Sequence, residues 1–235
     1  PYEVTPDNAL TQYNDKAIGD ERLYRGMVSH LDHSIGRVLT KLKQLGIADN
    51  TLVIFTSDNG PAYRGSAGHF KGRKVDFHEG GIRVPAIAWW PEHIKAGQVS
   101  NELIHTNDLL PTFAKTANIS LDSHVAIDGK DITPVIINNA AIKDRGYVFW
   151  QIGDYKGNGN YWATVDKRPE PVITEIVRDG KWKLLARHGV AIELFNLTED
   201  PYERWNLLKE QPHVALDMTN ALKHWLAEPR LAIPY

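Results

Sequence analysis

Residues 51–85 read TLVIFTSDNGPAYRGSAGHFKGRKVDFHEGGIRVP, and this stretch decides the fold. Its first six residues are short, apolar and β-branched, the composition of a strand buried on both faces. That strand runs straight into Ser57, Asp58, Asn59 and Gly60. A long basic loop follows with Lys71, Arg73 and Lys74, and then a turn at Glu79, Gly80 and Gly81. A second apolar run, residues 82–90, contains Pro85, which predicts an edge strand or one that starts after the proline.

Working outward, residues 20–45 carry Leu23, Met27, Leu31, Ile35, Val38, Leu42 and Leu45 at three- and four-residue steps, a helical stripe. Asp20 is the expected N-cap and Gly46 the stop. The stripe is expected to lie on a sheet. Residues 106–117 predict a second helix with Pro111 in its first turn and Leu110, Phe113, Ala114 and Ala117 facing inward. Helix, strand, loop, strand and helix in this order argue α/β. Residues 1–19 read as an extended leading segment.

Beyond about residue 128 the texture changes. Residues 154–160 predict a loop. Residues 172–177 and 182–186 flank Arg178, Asp179, Gly180 and Lys181, a hairpin signal. Residues 192–197 read as a third strand, and Leu216, Leu222, Trp225 and Leu226 give a last helix its apolar face. The division expected is residues 1–135 as an α/β portion and 136–235 as a small α+β portion.

Composition narrows the function classes. The chain has 235 residues, 42% hydrophobic and 24% charged, with a formal net charge of -2. Such a balance gives no reason to expect nucleic acid or an anionic membrane as partner. No apolar run approaches the roughly 20 residues that span a bilayer. There is no cysteine, so a disulfide, a thiolate metal site and a cysteine nucleophile are excluded within the chain. It begins Pro-Tyr-Glu without an initiator Met, and the expectation is an N-terminus that was cut, processed or left out.

Asp58 and Asn59 offer a carboxylate and an amide carbonyl, hard oxygen donors suited to Ca²⁺ or Mg²⁺. They stand at the carboxyl end of a strand, where ligands of open α/β sheets collect. An Asn-Gly pair is equally at home in a plain tight turn. Two donors cannot fill a six- to eight-oxygen shell, so others must come from elsewhere. Lys74 is a compact point charge able to neutralise a sulfate or phosphate oxygen. Near a divalent ion it would also stabilise charge on a leaving oxygen. The alternative is a solvated lysine, a reading that suits Lys71 and Arg73 better. His69 lies in the same loop and is a candidate substrate contact. Glu79 is read as structural, tying the Gly80-Gly81 backbone with help from Arg83, rather than as a general base. His30 and His33 have metal-compatible spacing but no carboxylate partner, so a solvated helix face is expected. Trp150, Tyr155, Tyr161 and Trp162 either stack on a sugar or fill the second core.

Taken together these segments resemble the formylglycine-dependent, arylsulfatase-type sulfatases of the alkaline phosphatase superfamily. The family pattern is S-D-N-G ending a strand, G-x-K in a loop, then E-G-G-x-R-V-P. Here these are residues 57–60, 72–74 and 79–85, with the same five-residue step from Lys74 to Glu79. Residues 105–119, 128–136, 180–185 and 193–208 resemble the family's later segments, so the likeness covers nearly the whole chain. It implies the C-terminal part of an alkaline-phosphatase-like sandwich, plus a small antiparallel sheet with a packed C-terminal helix. It also implies that Asp58 and Asn59 are two calcium ligands, with Mg²⁺ as the alternative ion, and that Lys74 contacts the sulfate group. The implied reaction is hydrolysis of a sulfate monoester, on a glycan by family habit. A formylglycine hydrate attacks sulfur, the alcohol leaves, and the sulfated enzyme eliminates sulfate. A periplasmic or secreted location is the family's habit.

The departures from the pattern matter as much. The C/S-x-P-S/A-R motif that supplies formylglycine is missing. So are the family's N-terminal aspartate pair, its early lysine-histidine pair and its H-x-P histidine. The chain therefore resembles roughly the C-terminal half of a sulfatase and is expected to be inactive alone. Its expected partner is the missing N-terminal half, or another chain covering exposed sheet edges. His78 stands where an aromatic is usual, and Val75-Asp76 where small or hydroxyl residues are common. Two other readings stay open: a phosphodiester or phosphonate ester hydrolase of the superfamily, and a non-catalytic remnant or partner-binding module.

Overall fold

The computed structural model describes residues 19–62, 64–151 and 173–228. The leading segment of residues 1–18, the 154–160 loop and the aromatics Tyr155, Tyr161 and Trp162 lie outside the described residues. In chain order the elements are α1 (Asp20–Gln44), β1 (Val53–Thr56), α2 (Glu79–Ile82), β2 (Ala86–Trp89), α3 (Leu109–Thr116), α4 (Thr133–Asn138), β3 (Val148–Gln151), β4 (Glu175–Asp179), β5 (Trp182–Arg187), β6 (Val190–Asn196) and α5 (Pro212–Ala227). The chain divides into two compact units. One takes residues up to 66 with 85–143, and the other takes 67–84 with 144 onward.

In the first unit β1 pairs antiparallel with β2, Val53 opposite Trp89 and Thr56 opposite Ala86. As Pro85 requires, β2 starts directly after it. The expectation of a fully buried strand is corrected: all four β1 residues are only half-buried, because the described sheet has two strands. The α1 stripe is corrected likewise. Leu31, Val38 and Leu45 are 52%, 56% and 57% exposed, and Gly26 is the buried residue of the helix. Asp20 is the first helical residue rather than the cap, which is Gly19, and Gly46 ends the helix at φ 67°.

A polar knot fixes the remainder of this unit. The buried Asp108 carboxylate accepts from the backbone N–H of His105 (2.6 Å) and of Lys130 (2.8 Å). Thr112 Oγ1 donates to the Asp108 carbonyl at 2.6 Å and accepts from Ile132 N at 3.0 Å. Gly129 is required, since a Cβ there would lie 2.0 Å from the Asn107 carbonyl oxygen. This docking selects the inner face of α3. Thr112 and Ala114 are buried, while Leu110 and Phe113, expected inside, are exposed.

In the second unit β3, β4, β5 and β6 form one antiparallel sheet in sequence order, and the expected hairpin is β4–β5. Strand periodicity sends alternate side chains to opposite faces. Val177, Leu184 and Leu194 pack with Ala215, Met218 and Leu222 of α5. Phe149 stacks on Trp225 at 4.7 Å between ring centroids. On the other face Ile176, Leu185 and Phe195 pack with Phe77, and the half-buried Trp150 joins them as core. Leu216 is exposed, against expectation.

Leu222 is fully buried within the α5 cluster, so Leu222→Ala is expected to cost about 2–5 kcal/mol in urea unfolding. Leu216→Ala on the outer face is expected to change stability by no more than about 0.5 kcal/mol.

Candidate functional site

Asp58 and Asn59 stand just past the end of β1, in the first unit. Ser57 Oγ donates to the Asn59 carbonyl at 3.0 Å and closes the turn. Asp58 is exposed, Asn59 half-buried and Gly60 buried. Two adjacent hard oxygens fit a Ca²⁺ or Mg²⁺ ion as a partial shell. No group of three or more His, Asp or Glu among the described residues would hold a metal on its own. His30 and His33 are exposed on α1.

Lys74 and His69 belong to the second unit, in the segment 67–84. This segment is mounted through the diglycine. Gly80 N donates to the Lys71 carbonyl at 2.7 Å, and Gly81 N to the His78 carbonyl at 2.8 Å. A Cβ at Gly80 would sit 2.4 Å from the Gly72 carbonyl oxygen, and one at Gly81 would sit 1.8 Å from that of Asp76. Only glycine lets the loop backbone lie this close to α2. The loop itself is strained: Val75, β-branched and next to Lys74, has φ 69°. Lys74 is half-buried. His69 is exposed, with its ring edge-on to Tyr202 at 6.0 Å, and the Arg83 guanidinium lies 4.7 Å over the Phe70 ring.

Under the diglycine sits a buried cluster of charges. The side chain of Lys183, on β5, is fully buried, with its Nζ 3.0 Å from Glu79 Oε1 and 2.8 Å from Glu203 Oε1. Glu203 Oε2 accepts from Glu79 N at 2.6 Å. Arg178 on β4, directly across from Lys183, reaches Glu79 Oε1 at 3.3 Å, and Arg83 reaches Oε2 at 3.6 Å. Glu79 is structural, but its carboxylate binds these three cations rather than the diglycine backbone. Burial alone would raise the Glu79 carboxyl; Lys183, Arg178 and Arg83 outweigh it and hold it below its ordinary 4.5.

His78, which stands where an aromatic is usual, sits in a second cluster. It is buried, with Nδ1 2.7 Å from Asp76 Oδ1 and Nε2 3.1 Å from Glu193 Oε2 on β6. Asp76 Oδ1 also accepts from His78 N at 3.1 Å. Sequence reasoning missed Lys183, Glu203, Asp76 and Glu193 as a support for this loop. One signal was available: a lysine inside the apolar run Trp182-Lys183-Leu184-Leu185, where a buried strand calls for a buried partner.

Lys183→Met strands the buried Glu203 carboxylate, leaves Glu79 with Arg178 and Arg83, and is expected to cost about 3–5 kcal/mol in chemical unfolding. Because the Glu79 pKa is lowered on folding, its contribution is present above pH 4.5 and is lost as pH falls through the lower, folded value. An acid titration of stability should therefore be less steep in Glu79→Gln than in the wild type.

Comparison with known proteins agrees with this architecture. Residues 4–119 match the sulfatase family, and residues 65–231 match the family of N-sulphoglucosamine sulphohydrolase, C-terminal. N-acetylgalactosamine-6-sulfatase of Rattus norvegicus is 34% identical over 206 residues, covering 78% of this chain and 38% of that protein. A sulfatase of Formosa agariphila is 35% identical over 224 residues, 86% of this chain and 39% of that protein. The crystal structure of Ps i-CgsB superposes with a TM-score of 0.81 at 26% identity, over 96% of this chain and 47% of that one. The chain thus spans about two-fifths of the length of these sequence relatives. The matched segments include the S-D-N-G turn, the diglycine mount and the C-terminal sheet, and the chain belongs to the sulfatase family of the alkaline phosphatase superfamily.

Proposed function

We propose that this chain is the calcium- and sulfate-holding share of a sulfuric ester hydrolase that acts on a sulfated sugar. The observation that carries the reading is the mount of the 71–76 loop. A strained cationic loop is held by a diglycine and a buried ion cluster, which is what fixing the Lys74 ammonium against a charged substrate group would require.

Each residue has a physical task in this reading. Asp58 and Asn59 hold a Ca²⁺ ion by their side-chain oxygens, and Mg²⁺ is the alternative. The ion, when bound, neutralises charge on the sulfate oxygens and so makes sulfur more open to attack. Lys74 places an ammonium on a sulfate oxygen. Beside the departing alcohol's oxygen the same ammonium also stabilises the charge that develops there. His69, exposed in the same loop, is the candidate contact to the rest of the substrate. A sugar as the alcohol is supported by one relative's name, N-acetylgalactosamine-6-sulfatase. The nucleophile is not among these 235 residues, so the chain alone is inactive. The exposed apolar stripe of α1, with Leu31, Val38 and Leu45, is then the surface that the nucleophile-bearing half covers.

Sulfate release tests this. The 235 residues alone are expected to release none from N-acetylgalactosamine 6-sulfate. With an upstream-encoded half bearing C/S-x-P-S/A-R, calcium-dependent release is expected. In that protein Lys74→Ala should lower kcat about 10²- to 10³-fold, and Asp58→Asn should raise the calcium needed for half-activity. Metal-dependent turnover by the isolated chain would overturn the inactivity. Faster turnover of a phosphate or phosphonate ester would favour the other hydrolase reading. No turnover of any ester, with no nucleophile motif upstream, would favour a non-catalytic remnant.

A further inference from the structure

His78 occupies a position that the proposed chemistry does not use. Its side chain is 7% exposed and lies between two carboxylates from different parts of the second unit. Asp76 belongs to the Lys74 loop, and Glu193 belongs to β6. An ionised carboxylate only accepts hydrogen bonds, and a neutral imidazole donates only one. Both contacts, at 2.7 and 3.1 Å, are satisfied together only when both ring nitrogens carry protons. We propose that His78 is a positioning residue for the sulfate-binding lysine. As an imidazolium it clamps the 71–76 loop to β6, and losing its proton loosens that loop and Lys74 with it. The inference rests on the sulfate role of Lys74 only for its catalytic consequence; the clamp itself stands on the geometry.

The surrounding groups favour the charged ring. Burial pulls the His78 pKa down, but the hydrogen bonds to Asp76 and Glu193 and the charges of Glu203 and Asp76 outweigh it, leaving it above the ordinary 6.5. Lys71 faces Glu193 Oε1 at 3.7 Å, so the same carboxylate holds the loop by a second cation. The Glu193 carboxyl is held below its ordinary 4.5, first by the His78 hydrogen bond and also by Lys71, against the opposing effects of burial and Asp76. The signs of linkage follow. The His78 contribution is complete below pH 6.5 and is lost as pH rises through the higher, folded value. The Glu193 contribution is complete above pH 4.5 and is lost as pH falls through the lower, folded value. The clamp is therefore tightest between those two ordinary values.

The strain in the loop makes such a clamp necessary. Val75 at φ 69° stays in an unfavourable conformation only while its neighbours hold it. On its C-terminal side those neighbours are Asp76, whose N–H donates to the Arg73 carbonyl at 2.8 Å, and the Asp76–His78 pair. Losing the proton leaves the ring one donor for two carboxylates, so one of the two ring contacts that tie Asp76, two residues from Lys74, to β6 is released.

The test reads loop and chemistry separately. The His78 ring is titrated by NMR, amide-exchange protection of residues 71–76 is measured from pH 5 to 9, and KM and kcat for a sulfate ester are measured in the desulfating protein. His78 is expected to titrate above 6.5, and loop protection to fall about ten- to a hundredfold across that same midpoint, the size of one charge-assisted hydrogen bond. Over the same range kcat should fall, with KM changing less. Glu193→Gln should move the midpoint down. His78→Gln, which keeps the volume and one donor, should give weaker and pH-independent loop protection; it also serves if His78→Phe fails to fold. Flat protection across the His78 titration, or wild-type behaviour of His78→Gln at every pH, would overturn the clamp. Protection that follows the titration while kcat stays flat would overturn the link to Lys74. Absence of any desulfation would count against the proposed function, and the exchange data would still judge the clamp.

Discussion

The second unit depends on where one ammonium group is put. The Lys183 side chain is completely buried on β5, and taking a charge out of water costs several kcal/mol unless it is fully paired. Two carboxylates meet it, and each comes from a different segment. Glu79 brings α2 and the loop before it, and Glu203 brings the turn after β6. The backbone N–H of Glu79 bonds to Glu203 as well, so the three residues close a ring of contacts. Hydrophobic burial holds the sheet to α5, but it has no directional preference. The ion cluster supplies direction, fixing which loop lies on the outer face of the sheet and in what register.

The two faces of this sheet are built by different physics for different ends. The α5 face is apolar and pairs Val177, Leu184 and Leu194 with a helix. The opposite face mixes Ile176, Leu185 and Phe195 with Arg178 and Lys183, and receives Phe77 and Glu79. A purely apolar face would accept many docking geometries. A buried cation accepts only one that brings carboxylates, and the diglycine leaves the arriving backbone no room for a side chain.

Much of this was legible in the sequence, for identifiable reasons. The hairpin turn, the strand start after Pro85 and the Gly46 helix stop follow from local backbone chemistry, and all were read correctly. The roles of Leu31, Val38, Leu110, Phe113 and Leu216 were misread. Periodicity shows that a helix has an apolar face, not that the same chain covers it. Asp58 and Asn59 were visible because a strand leads into them, and their placement after β1 follows that reading. The support beneath Lys74 was not visible. Lys183, Glu193 and Glu203 lie more than a hundred residues downstream of the loop they hold, and no local pattern links charges so far apart.

Those separations have a consequence for how the molecule is made. Glu79 and Lys183 are 104 residues apart, and Glu79 and Glu203 are 124 apart. A ribosome adds residues from the N-terminal end at about 5–20 per second. The Lys74 loop therefore emerges several seconds before the groups that set it, and until they arrive Val75 is free to relax and Glu79 lacks Lys183 and Glu203. The sheet of β4 to β6 is built from neighbouring strands and can close on its own soon after it emerges. Docking the loop has to wait for Lys183 and Glu203. A chain stopped short of Glu203 would carry every residue of the candidate site and still lack one of the two carboxylates that pair with Lys183 beneath the Lys74 loop.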